Sequence, residues 1–245
     1  MTDDEEVLIA DSENNRVRKI DRNGIMSTIA GNGTKGFDGD GQLATSACLC
    51  FPTSVFQYKN EIYIADTGNN RLRKVDRNGI MTTIAGNGEK EFNGDVILAT
   101  TASIRPQCVF LHNDQIYISD MYNHRIRKMD QNGIITTIAG TGKEGFNGDD
   151  QLAVKANLKF PMGIFVDDDS QIYIADSENN CIRKIDQNGI ISTIAGTPSE
   201  RGYSGDVPFD FEKYPHIGPR KKPLIKPFPK AYHDMIIICN GFNVM

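Results

Sequence analysis

Short stretches of alternating apolar and polar residues recur along this chain, each closed off by turn-forming residues. In Glu61–Ala65 the sequence EIYIA is β-branched and aromatic at alternate positions, the pattern of a half-buried strand. A polar turn at Asp66–Asn70 leads to a second strand around Arg71–Val75. The Asp-Arg-Asn-Gly segment at 76–79 predicts a tight hairpin, because Asn-Gly readily supplies positive φ angles. A third strand is predicted at Ile80–Ala85, ending on Gly86, followed by a loop of about 20 residues and a fourth strand opened by proline.

The same pattern is written four times, with repeat cores at 9–21, 64–76, 118–130 and 174–186: IADSENNRVRKID, IADTGNNRLRKVD, ISDMYNHRIRKMD and IADSENNCIRKID. Self-similarity at a fixed period of this length marks a repeat architecture. The strand-opening proline keeps phase at Phe51-Pro52, Arg105-Pro106 and Phe160-Pro161. Short antiparallel strands in units of this length predict an all-β fold, a β-propeller of four-stranded blades, in which neighbouring blades bury each other's apolar faces. The pattern starts in mid-blade at Val7–Ala10 and loses its frame after Tyr203-Ser204-Gly205-Asp206. Residues 1–206 are therefore expected to form the propeller, as a partial or atypical ring. Residues 207–245 hold six of the ten prolines and are expected to be a divergent, partly disordered tail. Met235–Cys239 is the one segment there with the character of a closing strand.

The repeat resembles the NHL family of β-propellers, named after an Asn-His-Leu tripeptide. The nearest local match is Asn123-His124-Arg125, beside Asn14-Asn15-Arg16, Asn69-Asn70-Arg71 and Asn179-Asn180-Cys181. The longer unit resembles the extended NHL variety, with a Thr-Ile-Ala-Gly strand end at Thr28–Gly31 and Thr137–Gly140 and a Gly-Phe-x-Gly-Asp loop at Gly36–Asp40 and Gly145–Asp149. The resemblance covers about residues 7–206. It implies a propeller fold and one of several roles: protein-binding scaffold, sensor or extracellular module of a larger protein, RNA platform, or a lyase-like enzyme on a related propeller. The family commonly uses six blades, so four copies leave ring closure open.

Composition narrows these roles. Formal net charge is −5, and residues 207–245 carry a surplus of positive charge, which leaves the repeat region acidic. The Arg-x-Arg-Lys strands (Arg16, Arg18, Lys19 and their counterparts) are balanced by Asp and Glu within each repeat core, so no basic field is left to attract phosphate, which argues against nucleic acid as a partner. No apolar run approaches the roughly 20 residues of a membrane span. The N-terminus MTDDEE lacks the basic and apolar regions of a signal peptide, which leans towards the cytoplasm without fixing the compartment. Five cysteines with no CxxC spacing read as unpaired and buried.

A residue present in every copy is expected to build the unit, whereas a catalytic group is needed once. The Asp-x-x-Asn-Asn-Arg turns are accordingly read as Asx-type turns whose Asp and Arg pair within or between blades. The four histidines, His112, His124, His216 and His233, do not assemble a metal site by spacing, and no nucleophile elbow, P-loop or dinucleotide motif is present. No catalytic residue, metal or cofactor is therefore expected. The Gly/Asp-rich loops lack the ligand set of an EF-hand, yet they cross one face of the propeller. Their residues Phe37, Asp38, Asp40, Phe92, Asn93, Asp95, Phe146, Asn147 and Asp149 are the candidate interaction positions. Met121-Tyr122, Val96-Ile97 and Cys181 stand out as non-repeated substitutions. The expectation is a non-catalytic scaffold for an unidentified protein or ligand, with self-association through open blade faces; the alternatives are a metal-bearing lyase- or lactonase-like propeller, or a fragment of a sensor or ectodomain.

Overall fold

A computed structural model describes residues 6–200 and shows four antiparallel sheets stacked side by side. The first has three strands, β1 (Val7–Asp11), β2 (Arg16–Ile20) and β3 (Met26–Ala30). The second runs β4 (Gln42–Leu43), β8 (Ile80–Ala85), β7 (Arg71–Val75), β6 (Glu61–Asp66), β5 (Pro52–Tyr58) from outside to inside. The third repeats this order with β9 (Ile97–Leu98), β13 (Ile134–Ala139), β12 (Arg125–Met129), β11 (Gln115–Asp120) and β10 (Pro106–His112). The fourth uses β14 (Gln151–Leu152), β18 (Ile190–Ala195), β17 (Cys181–Ile185), β16 (Ile172–Asp176) and β15 (Pro161–Val166). This is the blade stack of a β-propeller.

The blades differ from the predicted unit in one respect: a two-residue strand from the preceding loop makes each complete blade five-stranded. Gln42 and Leu43 pair with Met81 and Ile80, Ile97 and Leu98 with Ile135 and Ile134, and Gln151 and Leu152 with Ile191 and Ile190. A pairing two residues long leaves no periodicity in a sequence, so alternation alone does not reveal it. The long loop leaving each blade thus caps the next blade at its outer edge before descending to supply its innermost strand. Every junction is covalently and non-covalently laced.

Three apolar clusters correspond to the three junctions. Between the first and second blades, Val17 and Ala30 meet Ile64, Val75 and Met81, with Ala44, Ala47 and Leu49 of the loop filling the gap. Leu72, Ala85, Ile104, Ile118 and Ile135 lie in the second cluster, and Ile126, Ala139, Leu158, Ile174 and Ile191 in the third. Near the axis the inner strands interlock through Phe56, Phe110 and Phe165, with ring centroids 4.8 and 5.2 Å apart. The Thr-Ile-Ala-Gly strand ends are explained by a close approach: Gly86 adopts φ +91°, and a Cβ there would strike the carbonyl oxygen of Asn70. Gly31, Gly140 and Gly196 meet the same obstacle. Cys48, Cys50, Cys108 and Cys181 are buried thiols, as expected from a sequence with no CxxC spacing. The expected tail at 207–245, its Met235–Cys239 segment and Cys239 lie outside the described residues.

Candidate interaction surface

One end of the blade stack carries the long loops, the Asp-x-x-Asn turns and the residues that precede the inner-strand prolines. At its centre, in each complete blade, is an arginine clasp. Arg73 on β7 is fully buried and bridges two carboxylates: Asp66 at the end of β6 at 3.4 Å, and Asp40 of the incoming loop at 2.8 Å. Its other contact is the carbonyl of Asp38 at 2.8 Å. Asp66 in turn accepts the backbone N–H of Cys50 at 2.7 Å and the amide of Asn69 at 2.8 Å. Burial pushes the Asp66 carboxyl up to about 6, against the pull of those two donors and of Arg73. The Phe37 ring lies 3.7 Å from the Arg71 guanidinium and 4.9 Å from that of Arg73, a cation–π arrangement.

The clasp recurs with the same partners. Arg127 joins Asp120 at 3.4 Å to Asp95 at 3.0 Å, with Phe92 over Arg125 and Arg127 at 3.8 and 4.8 Å. Arg183 joins Asp176 at 3.4 Å to Asp149 at 2.9 Å, with Phe146 at 4.7 Å from its guanidinium. Cys181 stands where Arg71 and Arg125 stand in the other blades, so Phe146 has a single arginine beneath it. Asp38, Asn93 and Asn147 accept the backbone N–H groups of Cys48, Ser103 and Asn157 at 2.6, 2.8 and 2.7 Å. All nine candidate loop residues therefore use part of their polar or aromatic surface inside the structure, tying each loop to itself or to the next blade. Their outward faces remain at the surface, and the Phe37 ring is 44% exposed.

The structure gathers a second set of side chains on the same end that the sequence did not connect. Tyr122 is exposed, lies over the Arg105 guanidinium at 3.6 Å, and meets the Phe160 ring edge-on at 5.4 Å. His124 packs edge-on against Phe160 at 4.8 Å, and its Nδ1 accepts the Phe160 backbone N–H at 3.3 Å. Burial holds the His124 imidazole below its ordinary pKa, which keeps Nδ1 free to accept. Phe51, the counterpart of Phe160, is exposed and has φ +50°, with its N–H held by Asn15 Oδ1 at 3.0 Å. Tyr122 and His124 were visible as departures from the repeat; Phe51, Arg105 and Phe160 registered only as strand-opening signals. Their convergence needed the turn of one blade to abut the loop of the next.

Elsewhere the geometry is plain. His112 ends β10, on the opposite rim, with Nε2 2.9 Å from the Asn113 amide. Among the described residues no group of three or more His, Cys, Asp or Glu side chains converges as metal ligands would, and no helix is long and apolar enough to cross a membrane.

Comparison with known proteins agrees with the geometry. The Teneurin NHL domain model matches residues 141–210. NHL repeat-containing protein 2 of Bos taurus is 36% identical over 100 residues, which is 40% of this chain and 14% of that protein. The chain belongs to the NHL-repeat family. Protein SUPPRESSOR OF QUENCHING 1, chloroplastic, of Arabidopsis thaliana is 35% identical over 207 residues, 78% of this chain and 20% of that protein. This NHL-repeat chain thus spans a fifth or less of the length of these relatives. A solved streptogramin B lyase superimposes with a TM-score of 0.50 at 14% identity, covering 78% of this chain and 51% of the lyase. That likeness is one of fold.

Proposed function

We propose that this NHL-repeat chain is a non-catalytic binding module that takes a protein partner on its loop-bearing end. The observation that carries the reading is the set of exposed aromatics there, Phe37, Phe51 and Tyr122, each fixed by a guanidinium or a backbone hydrogen bond. Aromatic rings that stay exposed yet lose little freedom on binding are the side chains that dominate protein interfaces. The family relationship supports it, since other NHL domains serve in protein interaction. The acidic repeat region and its locally paired arginines weigh against a nucleic acid.

The test is capture of partners by the immobilised chain, wild type against the double variant Phe51→Ser, Tyr122→Ser. Both rings lie at the surface outside the three apolar clusters, so the variant is expected to keep its far-ultraviolet circular dichroism while losing the partner by roughly 2 kcal/mol or more of binding energy. A partner retained unchanged by the folded variant would overturn the reading.

A further inference from the structure

The approach to the inner strand is one residue shorter in the third blade than in its neighbours. The second and fourth blades read Leu49-Cys50-Phe51-Pro52 and Leu158-Lys159-Phe160-Pro161, where the third reads Ile104-Arg105-Pro106. On either side of the omission the geometry is held. The N–H groups of Cys50, Arg105 and Lys159 donate to the aspartates of their own blades, Asp66, Asp120 and Asp176, each at 2.7 Å. The carbonyls of Pro52 and Pro106 accept the hydroxyls of Ser12 and Thr67 from the blade before, both at 2.6 Å. The residue left out is therefore the phenylalanine alone. Phe51 and Phe160 bulge from the chain in the left-handed region, at φ +50° and +48°; Arg105 does not.

Each of these phenylalanines is held by the turn of the preceding blade. Phe51 gives its N–H to Asn15 Oδ1 at 3.0 Å, and Phe160 gives its N–H to His124 Nδ1 at 3.3 Å. The turn of the second blade sets Asn70 at the same position, with φ +54° beside the +50° of Asn15 and the +52° of His124. Asn70 is only 6% exposed and donates to the Gly88 carbonyl at 3.0 Å, yet no described residue donates to its Oδ1. An amide oxygen so nearly buried gains from any donor that reaches it. Next to it stands Arg105, whose guanidinium lies over the Tyr122 ring at 3.6 Å and makes no ion pair or hydrogen bond with a described residue. Asp120, which holds the Arg105 N–H, is fully buried and committed to Arg127 and Asn123. The Arg105 side chain is thus left with donors for a carboxylate from outside.

We infer that the partner supplies what the third blade omits: an aromatic side chain seated at the junction of the second and third blades, beside a carboxylate that pairs with Arg105. The ring takes the place that Phe51 and Phe160 take at the neighbouring junctions, and its backbone N–H donates to Asn70 Oδ1. Tyr122 backs the arginine and keeps it at the edge of the site. The occupant is accordingly a peptide segment of a protein partner with Phe, Tyr or Trp next to Asp or Glu. A buried aromatic anchor and an arginine–carboxylate pair are the contacts from which interfaces draw most of their affinity and orientation. The inference rests on the loop-bearing end being a protein-binding surface and names the chemistry it binds.

Fluorescence anisotropy of a labelled peptide carrying Phe-Asp between Gly-Ser flanks, titrated with the whole chain, tests it against the same peptide with Ala-Asp or Phe-Asn. The Phe-Asp peptide is expected to bind roughly tenfold or more tighter than either control. Arg105→Glu is expected to keep the circular dichroism of the wild type and to abolish the preference for Asp over Asn. A chain with phenylalanine inserted between Arg105 and Pro106, which restores the length of the neighbouring blades, is expected to fold and to lose the peptide because it fills its own site. Three results would overturn the inference: Phe-Asp bound no better than Ala-Asp, an Asp preference that survives Arg105→Glu, or a folded insertion chain that binds the peptide as the wild type does. Partner capture lost with Phe51→Ser, Tyr122→Ser but unchanged by the insertion would remove this site and leave the binding end standing. Capture indifferent to that double variant would remove both.

Discussion

The first blade and the third carry versions of one phrase with the same Arg-x-Arg-Lys strand, IADSENNRVRKID against ISDMYNHRIRKMD, yet their arginines live in different worlds. Arg127 is sealed between Asp120 and Asp95 under the Phe92 ring; Arg18 sits partly in water beside Asp11. The difference is the incoming loop. An identical motif is a surface ion pair or a buried network according to what its neighbour lays across it, so the blade is not the unit of stability here. The junction is.

That contrast is broken most directly by removing the arginine. Arg127→Ala leaves Asp120 buried with two neutral donors, Asn123 and the Arg105 N–H, and no cation. The expected loss is about 3–5 kcal/mol, the cost of stranding a buried charge. Arg18→Ala is expected to lose about 1 kcal/mol or less because Asp11 keeps its water. Chemical denaturation of both variants checks the pair; equal losses would mean that Arg18 is sealed in solution as Arg127 is.

A second break uses the apolar side of the same junction. Met81 has 0% exposure against Val17, Leu49 and Ile64, whereas Met26, its counterpart, is half in solvent. Met81→Ala is expected to cost about 2–5 kcal/mol through the cavity it leaves. Met26→Ala is expected to stay within about 0.5 kcal/mol. Thermal melts of the two proteins, side by side, decide it.

How much of this was written in the sequence depends on the range of the interaction. The strands, the Asn-Gly hairpins and the family were legible because they rest on alternation and on residues a few positions apart. The pairing of Asp with Arg was legible only in kind: the arginine of the turn motif, Arg71, goes to the carbonyls of Asn69 and Asn87, and Asp66 pairs instead with Arg73, two residues further along the same phrase. The second half of the clasp was not: Asp40 lies 33 residues before Arg73 in a different phrase, and Asp and Arg recur so often that spacing alone selects no pair. The Tyr122, His124, Phe160 and Arg105 cluster escaped for the same reason, joining a turn to a loop 36 residues further along at the His124–Phe160 bond. Repetition reveals the unit and conceals the junction, because every junction partner looks like a unit residue.

The loops that make the junctions are not equivalent either, and their difference sharpens the comparison at the smallest scale. Where the loop leaving the first blade turns on Gly41 at φ +79°, the loop leaving the second turns on Val96 at φ +57°, and the third uses Asp150 at φ +56°. A β-branched residue is poorly suited to the left-handed region, at a penalty of roughly 1–2 kcal/mol, and Val96 recovers little by packing since 73% of its surface is exposed. Its N–H nevertheless bonds the Ile135 carbonyl at 2.9 Å, so the turn is held by the two-residue strand that follows, Ile97–Leu98 on Ile134–Ile135. Val96→Gly removes the strain but adds chain entropy of roughly 0.5–1 kcal/mol to the unfolded state. The balance is a gain of about 0.5–1 kcal/mol, seen as a rise of roughly 2–4 °C per kcal/mol in melting temperature. A fall on Val96→Gly would instead show that the exposed valine is packed by a partner in solution, and that this loop, alone of the three, reaches beyond its own junction.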